Sequence, residues 1–174
     1  TVIDLFAGCG GMTDGFVRAG FDPIAAVEFD LAAAATYAAN FGEDHVHWCD
    51  IAHWKEDIPK SDIVIGGPPC QGFSNLGTRD PDDPRNQLWK EYVRIVRAAE
   101  PKLFVIENVD RFRSSHEFSL LEAEVDNGAL SDYEIVCEVL NAADYGVPQR
   151  RKRTIVIGSR VGLPVMPSAT HSDT

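Results

Sequence analysis

A doubly wound α/β fold, built on a mostly parallel sheet with helices on both faces, is what this sequence predicts, and three observations carry the expectation. Short apolar runs rich in Val, Ile and Ala alternate with longer amphipathic or alanine-rich stretches along the whole chain. Glycines and prolines fall where the longer stretches stop. Glycine-rich or acidic residues come directly after the apolar runs, at the carboxyl ends where open α/β sheets place their chemistry. The 174 residues suit one domain able to bury a sizeable core, and 44% hydrophobic with 25% charged residues is ordinary for a globular protein.

The elements follow in order. Residues 2–6 read as a strand running into Ala7-Gly8-Cys9-Gly10-Gly11, and residues 12–19 as a helix stopped by Gly20. Residues 24–28 are a second strand. Asp30 suits a helix N-cap, and the alanine-rich stretch 31–41 reads as a helix ending at Gly42. A short strand at 46–49 leads to Asp50. Residues 62–65 form a buried strand ahead of Gly66-Gly67-Pro68-Pro69-Cys70-Gln71-Gly72-Phe73-Ser74, and a Gly/Asp/Pro-rich stretch runs from 72 to 85. Leu88, Trp89, Tyr92, Val93, Val96 and Ala99 mark one face of a helix that stops at Pro101. Strands are expected at 103–107, 134–139 and 154–158.

Composition narrows the function. No apolar run approaches the roughly 20 residues of a membrane span, and the start of the chain lacks the charged leader and apolar centre of a signal peptide. Cys9, Cys49, Cys70 and Cys137 are widely spaced with no CxxC, which points to neither a metal site nor a disulfide framework and favours an intracellular, reducing compartment. The net charge of −11 argues on its face against a nucleic-acid partner. The sum hides its distribution, however: Arg150-Arg151-Lys152-Arg153 is a dense basic cluster, while residues 80–83 and 117–126 carry much of the acid.

Five constellations carry chemistry. The glycine turn after the first strand offers backbone amides and close approach to a nucleotide cofactor, dinucleotide or S-adenosylmethionine, although GxGxxG is absent. Glu28, about twenty positions on, is placed to bond ribose hydroxyls, Phe29 to stack on an adenine face, and Asp50 to bond an adenine amino group. Taken singly, each carboxylate reads more readily as a solvated helix cap or surface charge. Cys70 sits on a rigid, exposed mounting suited to a nucleophile, although a lone cysteine in a turn is as often structural. Glu107, in Glu107-Asn108-Val109 at the mouth of a neighbouring strand, could be desolvated and act as an acid, or could cap a following helix. Arg151 and Arg153, alternating along a strand, could point together into the same pocket, whereas a solvated basic run is the plainer reading.

Asp-Leu-Phe-Ala-Gly-Cys-Gly-Gly at 4–11, Gly-Gly-Pro-Pro-Cys-Gln-Gly-Phe-Ser at 66–74, Glu107-Asn108-Val109 and Gln149-Arg150-Arg151-Lys152-Arg153, in this order and at these intervals, resemble the C5-cytosine DNA methyltransferases. The resemblance implies a Rossmann-like methyltransferase fold with S-adenosylmethionine as cofactor and double-stranded DNA as partner. It implies a cofactor-contacting set of Phe6, Gly8, Gly10, Gly11, Glu28, Phe29, Asp50, Ile51, Pro69 and Leu88. Cys70, Glu107, Arg151 and Arg153 match the catalytic set, with Gln71, Ser74 and Val109 supporting the flipped base or the DNA backbone. The implied chemistry is thiolate addition of Cys70 to C6 of a flipped-out cytosine, assisted by Glu107 at N3, then methylation at C5 and expulsion of the cysteine. The 72–85 stretch corresponds to a loop closing over the base.

Family members continue past the QRRKR strand into a target-recognition region and a segment that completes the cofactor pocket. Residues 1–174 therefore read as the catalytic domain without those parts, either an excised piece or one polypeptide of a split enzyme, expected to bind cofactor weakly and to methylate nothing unaided. A cytosine methyltransferase acting on tRNA and a non-catalytic subunit of a split enzyme are the alternatives. Gly72-Phe73-Ser74 favours DNA over tRNA, and the presence of both Cys70 and Glu107 speaks against the subunit.

Overall fold

The computed structural model describes residues 1–69 and 88–171. Its strands are β1 (Val2–Leu5), β2 (Pro23–Glu28), β3 (Val46–Trp48), β4 (Ile63–Gly66), β5 (Leu103–Val109), β6 (Glu134–Asn141) and β7 (Lys152–Ser159). They form one seven-stranded sheet in the order β3-β2-β1-β4-β5-β7-β6. The pairs among β1 to β5 are parallel, whereas β7 runs antiparallel to both β5 and β6. The doubly wound, mostly parallel sheet expected from the alternating runs is thus present. Its order reverses between β1 and β4, which opens a crevice at their carboxyl ends.

Period-two alternation explains how the two faces are filled. Ile3 and Leu5 of β1 point into the larger core with Val64, Tyr92, Ile95, Val96, Phe104 and Ile106, beneath α3 (Leu88–Ala99) and α4 (His116–Asn127). Val2 faces the other way, with Ile63 and Ile65, against Met12 and Phe16 of α1 (Gly11–Arg18). Ala26 packs there too, beneath Tyr37 and Phe41 of α2 (Leu31–Phe41). The N-cap expected at Asp30 is made: its Oδ1 accepts from the Ala33 amide at 2.8 Å.

Two elements differ from expectation. Residues 116–127 are a helix, capped by Ser115 Oγ accepting from the Phe118 amide at 3.1 Å, where the sequence showed mainly acidic charge. β5 continues two residues past Glu107, because β7 supplies a partner for each: Asn108 pairs with Thr154 and Val109 with Arg153. Glu107 therefore lies within a strand rather than at its mouth, and it caps no helix.

Candidate active site

The crevice begins at the turn after β1. Phe6 has φ 59° and Gly8 φ 55°, and Gly10 turns at φ 89° directly before α1. A non-glycine residue such as Phe6 in the left-handed region is held there against its preference, a strain that clusters at ligand sites. Gly10 could carry no side chain, because a Cβ would run into the rings of Phe41 and Tyr37. Gly8 and Gly11 face the opposite condition: nothing lies within 4 Å of where their Cβ would be, which leaves open space over the turn for a ligand.

The residues that line this half come from the next two strand ends. Glu28 braces the turn, with Oε2 accepting from the Gly8 amide and Oε1 from the Asp30 amide, each at 2.8 Å. Its remaining lone pairs are what a ribose hydroxyl would meet. Phe29 is among the most exposed large hydrophobic residues, at 74%, and its carbonyl is held at 3.0 Å by the indole N–H of Trp48. An aromatic ring left in solvent while its backbone is fixed is suited to stacking. Asp50 caps the 3-10 turn Ile51–His53, with Oδ1 accepting from the Ala52 amide at 2.9 Å. Ile51 points into the core, 4% exposed, so its backbone rather than its side chain is available to the crevice.

The second half lies over β4, β5 and β7. Gly66 ends β4 opposite Leu5, where an added Cβ would collide with the Leu5 carbonyl. Pro68 is buried and Pro69 half-buried. Glu107 Oε1 accepts from Arg153 Nε at 2.9 Å and from Arg151 Nη2 at 3.5 Å, so both arginines meet on one carboxylate. Gly67 lies beneath it, close enough that a Cβ there would be 3.4 Å from Glu107 Oε2. Val109 is exposed at the end of β5, and Leu88 packs half-buried at the start of α3. Cys70, Gln71, Ser74 and the 72–85 stretch lie outside the described residues.

Several residues at the site escaped the sequence reading. Asn108, buried, donates from Nδ2 to the Pro68 carbonyl at 2.8 Å and so ties β5 to the segment leading to Cys70. The only sequence signal for it was its place between Glu107 and Val109. Trp48 is the second, and its indole bond to Phe29 has no signature in periodicity. Beneath the glycine turn, Asp4, Thr13 and Tyr37 form a buried hydrogen-bonded set. Burial pushes the Asp4 carboxyl up to about 7, with two bonds from Thr13 opposing and the nearby Glu28 charge adding to the rise.

Comparison with known proteins agrees with this geometry. The family model for C-5 cytosine-specific DNA methylase matches residues 1–174. The chain is 43% identical to the Type II methyltransferase M1.HphI of Haemophilus parahaemolyticus, over 99% of this chain and 50% of that protein. It is 39% identical to the Type II methyltransferase M.AquIA of Picosynechococcus, over 98% of this chain and 76% of that one. A crystal structure from E. coli, described as a DNA modification methyltransferase encoded within a prophage, superposes with a TM-score of 0.77 at 38% identity, over 91% of this chain and 46% of that one. The S. pombe Dnmt2 methyltransferase superposes at 0.78 and 22% identity, over 95% and 52%, a likeness of fold alone. The chain spans about half the length of the first of these relatives. It belongs to the C-5 cytosine-specific DNA methylase family.

Proposed function

We propose that the protein carrying this chain transfers a methyl group from S-adenosylmethionine to C5 of cytosine in double-stranded DNA, with Cys70 as nucleophile on a flipped-out base. Family membership supports the reaction class. The observation that supports the residue roles most directly is the convergence of Arg151 and Arg153 on Glu107 beside the segment that Asn108 holds.

The glycine turn, Glu28, Phe29 and Asp50 fit the cofactor: open space above Gly8 and Gly11, carboxylates for hydroxyl and amino groups, and an exposed ring for a base. When bound, S-adenosylmethionine supplies an electrophilic methyl group on a sulfonium. The chain's own residues make cytosine receptive to it. Cys70 thiolate adds to C6, and the electron pair of the C5–C6 double bond moves toward the ring nitrogen that Glu107 holds at N3. C5 thereby becomes nucleophilic. After methylation, a base takes the C5 proton, the C–H electron pair re-forms the C5–C6 double bond, and Cys70 leaves as thiolate. Arg151 and Arg153 keep Glu107 in place, and as rigid donors on the rim they also suit a DNA phosphate. Residues 1–174 form the catalytic part in this reading, and target recognition is carried elsewhere in the protein or on a second polypeptide.

Duplex DNA containing 5-fluorocytosine tests the reading, because fluorine cannot leave C5 as a proton does. The full-length protein with S-adenosylmethionine is expected to form a denaturation-resistant adduct that Cys70→Ser abolishes. An adduct on Cys70→Ser equal to wild type sinks the assignment. Stronger trapping on tRNA than on duplex DNA would move the substrate to RNA.

A further inference from the structure

Asp4 is an acid with 1% exposure in the middle of the sheet, and Thr13 beside it has none. Thr13 Oγ1 donates to Asp4 Oδ2 at 2.6 Å, its amide also bonds the Asp4 carboxylate, and its hydroxyl meets the Tyr37 hydroxyl at 3.0 Å. Asp4 is on β1 and Thr13 in the first turn of α1, so the bonds between them close the turn formed by residues 6–11 at both ends. Tyr37 of α2 completes the closure from the far side, its ring also standing against the Gly10 position. The strained Phe6 and the three left-handed or glycine positions of the turn lie wholly within this clasp. Burying such a polar set has an energetic cost that a leucine or valine core would avoid. A turn with strained backbone keeps one shape only if its surroundings over-determine it.

We propose that Asp4, Thr13 and Tyr37 are positioning residues that lock the 6–11 turn in its ligand-binding shape and thereby set the affinity for S-adenosylmethionine without touching it. The inference rests on the reading of that turn as the cofactor site. With Asp4 ionised, the bonds run one way: Tyr37 donates to Thr13, and Thr13 donates to Asp4. Protonation turns one acceptor oxygen of Asp4 into a donor and breaks that direction. The groups facing Asp4 are few. Thr13 comes from α1, Tyr37 lies behind it on α2, and Glu28 on β2 adds a like charge. Tyr92 from α3 is near, with its hydroxyl donating to the Val64 and Val105 carbonyls. The paired residues on the neighbouring strands are the apolar Ala26 and Ile65. Burial raises the Asp4 carboxyl to about 7, so its ionisation falls between pH 6 and pH 8.

Calorimetric titration of the full-length protein with S-adenosylmethionine from pH 6 to pH 8 tests this. Thr13→Val is expected to weaken binding about tenfold, the loss of the hydroxyl's two buried hydrogen bonds, with kcat at saturating cofactor within about twofold. Thr13→Ser, which keeps the hydroxyl, restores the affinity. Wild-type affinity rises with pH across this window, whereas Asp4→Asn binds weakly at every pH. Thr13→Val binding as tightly as wild type, or a folded Thr13→Ser as weak as Thr13→Val, overturns the proposal. So does a wild-type pH dependence that Asp4→Asn retains; it still decides if Thr13→Val does not fold. A wild-type protein that binds no cofactor refutes the functional reading together with this one, whereas the other failures refute this one alone.

Discussion

Arg153 holds Glu107 through Nε at 2.9 Å, while Arg151 reaches the same oxygen only at 3.5 Å and from a more exposed position, so the two arginines contribute unequally. Arg153→Ala is expected to lower kcat on the order of a hundredfold, the scale of displacing a proton-handling group. Arg151→Ala should cost clearly less. Single-turnover transfer of labelled methyl to DNA measures both, and equal losses would show that the shorter bond carries no special weight. Gly10 makes a second residue-level case. Gly10→Ala places a Cβ against Phe41 at φ 89°, so stability should fall by about 2–4 kcal/mol. A thermal melt unchanged from wild type would contradict the contact. Glu107, Arg151 and Arg153 were open to choice from the sequence because strand alternation and motif both singled them out. Asn108 was not, since its partner Pro68 lies forty residues away and no local pattern encodes that bond.

α4 shows why an element can be missed when each of its signals is present. Phe118, Leu121 and Val125 are spaced for one helical face, and Ser115 is a sound cap. Glu117, Glu122, Glu124 and Asp126 crowd the rest of the helix, and the acid masks a stripe only three residues long. Ser115→Ala should lower stability by about 1 kcal/mol, read from the denaturation midpoint. No change would mean that packing alone sets where α4 begins. The ends of β5 were hidden for a different reason. A strand's length depends on its neighbours, and β7, which extends β5 to Val109, arrives more than forty residues later. β1 and β4 were easier to read because each is a continuous buried run, the signature of a strand covered on both faces. At Gly158 of β7 the partner is again remote: a Cβ would strike the Phe104 ring, so Gly158→Ala is expected to destabilise the β5–β7 pair. Hydrogen exchange at β7 amides would show whether it does.

On the scale of the whole molecule, one buried acid gives stability a pH dependence. The Asp4 carboxyl rises from 3.8 to about 7 on folding, so the folded state binds the extra proton between those values. Its contribution is fully present below about pH 4 and is lost as pH climbs through 7. Asp4→Asn should therefore flatten the decline, its stability relative to wild type growing by a few kcal/mol from pH 4 to pH 8. Urea denaturation at stepped pH reads this directly, and parallel curves for the two proteins would deny Asp4 its raised value. The layered architecture and the placing of the site at strand carboxyl ends could be anticipated from runs and turns, which depend on local periodicity, whereas the strand order that puts the crevice between β1 and β4 is set by pairing between distant segments. The interior polar set could not, because an aspartate in a strand looks the same in sequence whether it faces water or Thr13.

β7 lies between β5 and β6 although it follows both in the chain. During synthesis, β1 to β5 emerge with Glu107 in place, while its two guanidinium partners are still 44 and 46 residues from being added. Until β7 is added, Glu107 lacks both of the guanidinium groups that hold it in the finished sheet. The carboxylate at the centre of the sheet therefore owes its grip to the last strand made, so its placement depends on contacts of long sequence separation.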